Sequence, residues 1–285
     1  MSHTRFPHPS RFRPLAAALL AVVPGCAPTG PGPGPDRAGF GVLVFSRTAG
    51  FRHDSIETGL EAIRGLEATS GFHVQATEDS KIFNDAGLAP FAAVVFLSTT
   101  GDVLDFAQQA AFERFIRRGG GYVGIHAAAD TEYDWPWYGR LVGAYFKSHP
   151  AIQEATIVVA DRVHPSTRML PLRWTRTDEW YCFRANPRSA VHVLAVLDER
   201  SYEGGGMGHD HPIAWCHEVD GGRAWYTGGG HTKESFREPL FLEHVLGGIR
   251  WAAGTVAGNA GATVFQDPLT PALSRGEREQ RPVVP

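Results

Sequence analysis

Cysteine is scarce: the 285 residues include only Cys26, Cys182 and Cys216. Three cysteines without a CxxC pair supply neither a disulfide framework nor a zinc ribbon or thiol redox motif. A surplus of positive charge is missing too. The 27 basic and 30 acidic side chains leave a net charge of −3, which argues against nucleic acid as a partner. The apolar run at residues 15–23 (LAAALLAVV) is too short to span a bilayer. Neither an HExxH string nor an internal repeat is present. What the chain does have is a 43% hydrophobic, 11% aromatic composition, enough for one full core, and 13 histidines.

The two ends read as accessory. Arg5, Arg11 and Arg13 precede the short apolar run, which is the layout of an export signal. The following Val23-Pro24-Gly25-Cys26 resembles a bacterial lipobox, with Pro24 departing from the usual small or aliphatic residue. Residues 1–25 are therefore expected to be a lipoprotein signal peptide, with Cys26 as the lipidation site; an ordinary secretory signal cut nearby is the alternative. This implies an exported protein of the cell envelope, on its periplasmic or extracellular face, that meets the membrane only through a lipid anchor. Residues 26–39 form a Pro/Gly-rich linker, 40–254 the domain, and 255–285 a tail whose small, proline-rich and charged composition predicts disorder.

Between the ends, strand-like and helix-like patterns alternate. Apolar runs at 41–46, 72–77, 91–97 and 121–126 have strand length, and helical spacing of apolar residues appears at 55–68, 105–118 and 239–252. Further strands are expected at 152–159, 191–197, 212–215 and 223–227, some of them antiparallel. Strands apolar on both sides and separated by helices predict an α/β fold, a mostly parallel sheet with helices on both faces, in one flavodoxin-like domain. In such a sheet the strand C-termini share one rim. His53, His126 and His231 each follow a strand, so topology can gather them.

The segment at 119–128 (GGGYVGIHAA) surrounds His126 with small residues, as a sharp strand-to-helix elbow requires. It is similar to the nucleophile elbow of class I glutamine amidotransferase-like folds, where cysteine stands. Histidine cannot form the thioester those enzymes need, so glutamine hydrolysis is not expected. Seven segments resemble, in order, the trehalose-utilisation (ThuA-like) family: GFRHD at 50–54, GGGYVGIHAA at 119–128, FKSHP at 146–150, DEWY at 178–181, HPIAW at 211–215, GRAWYT at 222–227 with Gly230-His231, and GIRWA at 248–252. The resemblance implies carbohydrate metabolism, particularly of disaccharides and their keto derivatives.

Imidazoles with a carboxylate form a ligand set for zinc or a related divalent ion, which would polarise a sugar carbonyl or activate a water. His126, Glu179 and His231 are the candidates for catalysis and for metal binding; the same groups without a metal can serve as general acid and base. No nucleotide cofactor is expected. Arg52, His53 and His211 are candidate substrate contacts, while Asp54 reads first as a helix cap. His149 and His164, each before a proline, read first as loop punctuation, with His149 retained as a possible pocket residue. Among the aromatics, Trp135, Trp137, Trp180 and Tyr181 offer flat faces for a pyranose. The leading expectation is a sugar or keto-sugar hydrolase or isomerase; the alternative is a non-catalytic carbohydrate-binding lipoprotein.

Overall fold

The structure, a computed structural model, describes residues 39–262. The expected signal peptide, Cys26, residues 26–38 of the linker and the tail beyond 262 lie outside the described residues. Eleven strands are present among the described residues: β1 (Phe40–Phe45), β2 (Phe72–Thr77), β3 (Phe91–Leu97), β4 (Gly121–Ile125), β5 (Phe146–Ser148), β6 (Gln153–Val159), β7 (Arg173–Asp178), β8 (Cys182–Phe183), β9 (His192–Leu197), β10 (Pro212–Val219) and β11 (Gly222–Thr227). Nine of them form one sheet in the order β2-β1-β3-β4-β11-β10-β9-β6-β7, and β5 pairs with β8. From β2 to β11 every pairing is parallel. From β11 to β7 every pairing is antiparallel.

The reversal is made by a tight hairpin. Asp220 and Gly221 connect β10 to β11, both with positive φ (50° and 92°), and Val219 pairs with Gly222. An Asp-Gly pair tolerates this backbone, whose twist matches the flanking strands. The hairpin also carries β10 to Val219, beyond the strand expected at 212–215, because each of its residues from Ala214 on finds a partner in β11.

Helices cover both faces of the parallel half. The principal ones are α1 (Ile56–Gly65), α4 (Phe106–Arg117), α5 (Pro136–Val142) and α6 (Pro239–Ala252), with the short α2 (Glu67–Ser70) and α3 (Asp85–Leu88) between them. Successive β4 residues point to opposite sides. Tyr122 faces α4 and α5, packing on Phe112 and sharing a 2.8 Å hydroxyl contact with Tyr138. Gly121 faces α6, where an added Cβ would run into Ala252. Gly248 of α6 likewise leaves room for Trp225 of β11, so a helix-interior glycine is exchanged for close helix–sheet packing. The start of α4 is fixed by a capping box, the Asp105 carboxylate accepting from Gln108 N and the Gln108 side chain from Asp105 N.

Two elements depart from the sequence expectation. Strand β7 (RWTRTD) lacks an apolar pattern because its buried face holds Trp174, Arg176 and Asp178 rather than aliphatic side chains. Arg176 is buried between the carboxylates of Asp178 and Glu238, at 2.7 and 2.8 Å. At the other end, residues 255–262 belong to the domain rather than to an unpacked tail. The carbonyls of Val256, Gly258, Asn259 and Gly261 accept from Arg223, Trp251, Cys216 and His192.

Several histidines serve the core. His164 is buried, with Nδ1 against Ser166 Oγ and Nε2 near Cys216 Sγ, so it is more than the loop punctuation its proline suggested. His244 contacts the Ser166 carbonyl from α6. Burial holds both neutral, pushing His164 down to about 3 and His244 to about 4. Because the unfolded chain regains the ordinary value near 6.5, the stability these residues provide is complete above that value and is lost as the pH falls below it. Urea titrations at pH 7 and pH 5 are expected to differ by about 2 kcal/mol for each such histidine, and His164→Gln is expected to flatten the dependence.

Candidate active site

The site is built at the C-terminal rim of the parallel strands, and its centre is the residue after β4. His126 has φ 51°, a left-handed backbone that costs a non-glycine residue about 1–3 kcal/mol. The turn aims the imidazole along the rim, and buried Ala127, Ala128 and Ala129 leave no competing bulk. His126 Nδ1 lies 2.9 Å from the Gly228 carbonyl, and the His126 carbonyl accepts from the Tyr226 hydroxyl at 2.8 Å. A carbonyl only accepts, so Nδ1 carries the hydrogen and Nε2 presents its lone pair. That lone pair meets His231 Nδ1 at 3.1 Å and Glu179 Oε2 at 3.4 Å.

Glu179 follows β7 and His231 follows the Gly228–Gly229–Gly230 loop beyond β11. One buried carboxylate holds these two segments together. Asp178 accepts from the backbone N–H groups of Glu179 (3.0 Å), Gly230 (2.8 Å) and His231 (3.0 Å), and from the Ser235 hydroxyl (2.9 Å) and Arg176 (2.7 Å). Burial would raise its pKa, but the Arg176 charge and these donors hold it below the usual carboxylate value.

His53 closes the group. One ligand-competent atom from each of His53, His126, Glu179 and His231 lies within 4.8 Å of the others. The His53 ring packs edge-to-face on those of His126 and His231, and its Nδ1 is buried without a hydrogen-bond partner. Burial, reinforced by the two neighbouring imidazoles, lowers His53 to about 3 and keeps it neutral. Glu179 is driven far below the usual carboxylate range: burial opposes this, but the adjacent imidazoles of His126 and His231 outweigh it. His231 moves upward despite burial because Glu179 bonds and attracts its charged form at 3.1 Å. On the outer side, half-exposed His149 reaches Glu179 Oε1 at 3.0 Å.

The predicted catalytic trio of His126, Glu179 and His231 is thus brought together with His53. Tyr181 joins them, its ring 4.1 Å from that of His126. Other expected contacts lie elsewhere. Trp135 and Trp137 are buried, and the Trp137 indole donates to Asp220 in the hairpin at the opposite end of β11. Trp180 is fully buried and donates to the Gln153 carbonyl. His211 is fully buried and supports the site indirectly, through the Tyr181 carbonyl (2.8 Å) and Glu199 (2.8 Å). Arg52 lies on the rim, paired with Glu57 and Glu78. Asp54 does not cap α1, whose N-cap residue is Ser55; it pairs with Lys233 at 2.8 Å. Sequence reasoning missed Asp178 and underweighted His149, although both stand in quoted segments. A separate cleft of about 560 Å³, lined by Arg140, Tyr145, Arg184 and His217 among others, includes none of the cluster. The cluster is the candidate site, because convergent titratable groups identify a site better than the size of a concavity.

The residues also suit a divalent cation. Ligand-competent atoms of His126, His231 and Glu179 face one another at 3.1–3.4 Å beside His53, whose Nδ1 is buried and unpartnered, and His126 directs its second nitrogen at a backbone carbonyl as metal-bound histidines do.

Sheet, covering helices and elbow define an α/β protein whose mostly parallel sheet carries His126 at the turn after β4. The sequence profile of the ThuA family, trehalose utilisation, matches residues 41–252. The chain belongs to this family. It is similar to the solved structure of a ThuA-like protein from Bacteroides uniformis ATCC 8492, at 24% identity and a TM-score of 0.65, over 81% of this chain and 95% of that one. A ThuA-like protein from Parabacteroides merdae ATCC 43184 matches at 22% identity and a TM-score of 0.64, over 77% and 92%. A search of the curated proteins finds no match.

Removing the charge of Asp178 tests the clamp. Asp178→Asn leaves Arg176 without its buried partner and is expected to lower stability by about 3 kcal/mol, against about 1 for Ser235→Ala, as read by chemical denaturation.

Proposed function

We propose that the chain is a carbohydrate-directed enzyme acting on a sugar or keto-sugar, by hydrolysis or isomerisation, and that His53, His126, Glu179 and His231 hold zinc or another divalent ion. The observation that carries the reading is the convergence of His126 Nε2, His231 Nδ1 and Glu179 Oε2 at the sheet rim, within 3.1–3.4 Å of one another. Family membership in carbohydrate utilisation supports the substrate class. The ion would supply Lewis acidity toward a sugar carbonyl. The protein's own groups do the rest. His126 is fixed in one tautomer by Gly228, and Asp178 orients the backbone of Glu179 and His231. His149, anchored through Nδ1 and partly open to solvent, is suited to exchange a proton at Nε2. Among the described residues the cysteines, Cys182 and Cys216, are buried on β8 and β10, and the elbow itself carries histidine, so thioester chemistry is not part of the proposal.

Metal titration and a turnover screen test this together. Zinc is expected to bind one site per chain, with His126→Ala weakening it by more than about 100-fold. The raised pKa of His231 means that the ion displaces a proton, so affinity should climb as the pH rises through and above 6.5. Keto- and unmodified disaccharides should be turned over by the loaded protein and not after chelation. Binding without turnover in every case would instead favour a carbohydrate-binding protein, and zinc binding unaffected by His126→Ala would remove the proposed ligand set.

The lipobox-like segment supports a second part of the proposal, export and anchoring through Cys26. Incorporation of a labelled fatty acid is expected for the native chain and should vanish in Cys26→Ser; equal labelling of both would reject it.

A further inference from the structure

The tryptophans that composition suggested as a sugar platform are interior, yet the rim does present an aromatic face. Phe51 is 66% exposed. Its ring meets that of His53 edge-to-face at 4.9 Å, and His53 in turn contacts His126 and His231. Exposed large apolar side chains among the described residues also include Phe106, Ile152, Val163, Met169 and Leu172, but of these six Phe51 alone is in ring contact with the cluster.

Its exposure is held rather than loose. The Phe51 carbonyl accepts from Thr100 Oγ1 at 2.8 Å, and Ala49 N donates to the Thr100 carbonyl at 2.7 Å, so the segment is tied to the loop after β3. An apolar ring fixed in water at the edge of a polar site keeps unfavourable surface that a ligand can cover at little cost in ordering. Hydrogen-bonding groups flank it: Asp54 and Lys233 form an exposed pair that joins the Phe51 side to the His231 side. On the far side of the cluster, the rings of Tyr181, Phe146 and His149 pack in sequence from His126 outward.

We infer that Phe51 is the platform on which the C–H face of a pyranose ring packs, with Asp54 and Lys233 available to its hydroxyls, and that it selects cyclic sugars over open-chain polyols. The inference rests on the carbohydrate reading above and deepens it. A rigid pyranose offers one flat apolar face, whereas a flexible polyol must first be ordered to present one.

Titration calorimetry on the zinc-loaded full chain, with trehalose and sorbitol as probes, tests it. The native protein should bind trehalose more tightly than sorbitol. Phe51→Ala should weaken trehalose about tenfold, with sorbitol and zinc affinities unchanged, while Phe51→Trp should stay within about threefold of native. Phe106→Ala, a second exposed phenylalanine, should change nothing. Native-like trehalose binding by Phe51→Ala overturns the inference and leaves the carbohydrate reading standing. Loss of zinc by that variant would also overturn it, showing that Phe51 only props His53. A native protein that binds neither probe overturns the inference, while the carbohydrate reading is decided by the turnover screen with keto-disaccharides.

Discussion

The geometry of the histidine–glutamate cluster depends on one buried carboxylate. Asp178 ends an edge strand of the antiparallel half, and the Gly228–His231 segment leaves a strand of the parallel half. The carboxylate ties these two parts of the rim directly, across the intervening strands. Five donors on Asp178 fix the spacing of Glu179 and His231 to hydrogen-bond precision. The ionic partner of Asp178, Arg176, is itself locked by Glu238 at the start of α6, so the closing helix contributes to the same arrangement. A buried charge pair of this kind is weak as a source of net stability and effective as a source of uniqueness.

The second constraint is conformational. The left-handed backbone at His126 is unfavourable in isolation, and its carbonyl, its side chain and the preceding strand all have partners that compensate. The result is an imidazole whose free nitrogen has a defined direction. Placing it opposite Glu179 and His231 concentrates unshared electron pairs, which a protein interior tolerates when a cation or a mobile proton can sit among them.

Much of this was legible in the sequence. Aliphatic runs such as FAAVVFL have one reading in a covered parallel sheet, and the small residues around His126 announced a sharp turn. Strand β7 was not legible, because Trp174, Arg176 and Asp178 look like a solvated pattern until their mutual pairing is seen. The same blindness concealed Asp178 as the clamp. Aromatic side chains misled for a related reason: a tryptophan on a loop is equally suited to a ligand and to the gap beneath the loop, and composition cannot distinguish them. Phe51, less conspicuous and next to His53, faces outward because Thr100 holds its backbone. The charges on Asp54 and Lys233 likewise found each other rather than a helix terminus.

The cluster residues come from segments far apart in the chain; His126 and His231 alone are separated by 105 positions. No short peptide cut from this sequence contains a functional half of the centre. Closing such distant loops is entropically expensive, because the closure cost must be met before the distant contacts reward it. The cluster therefore exists only in the assembled sheet: a partly assembled domain has scattered imidazoles.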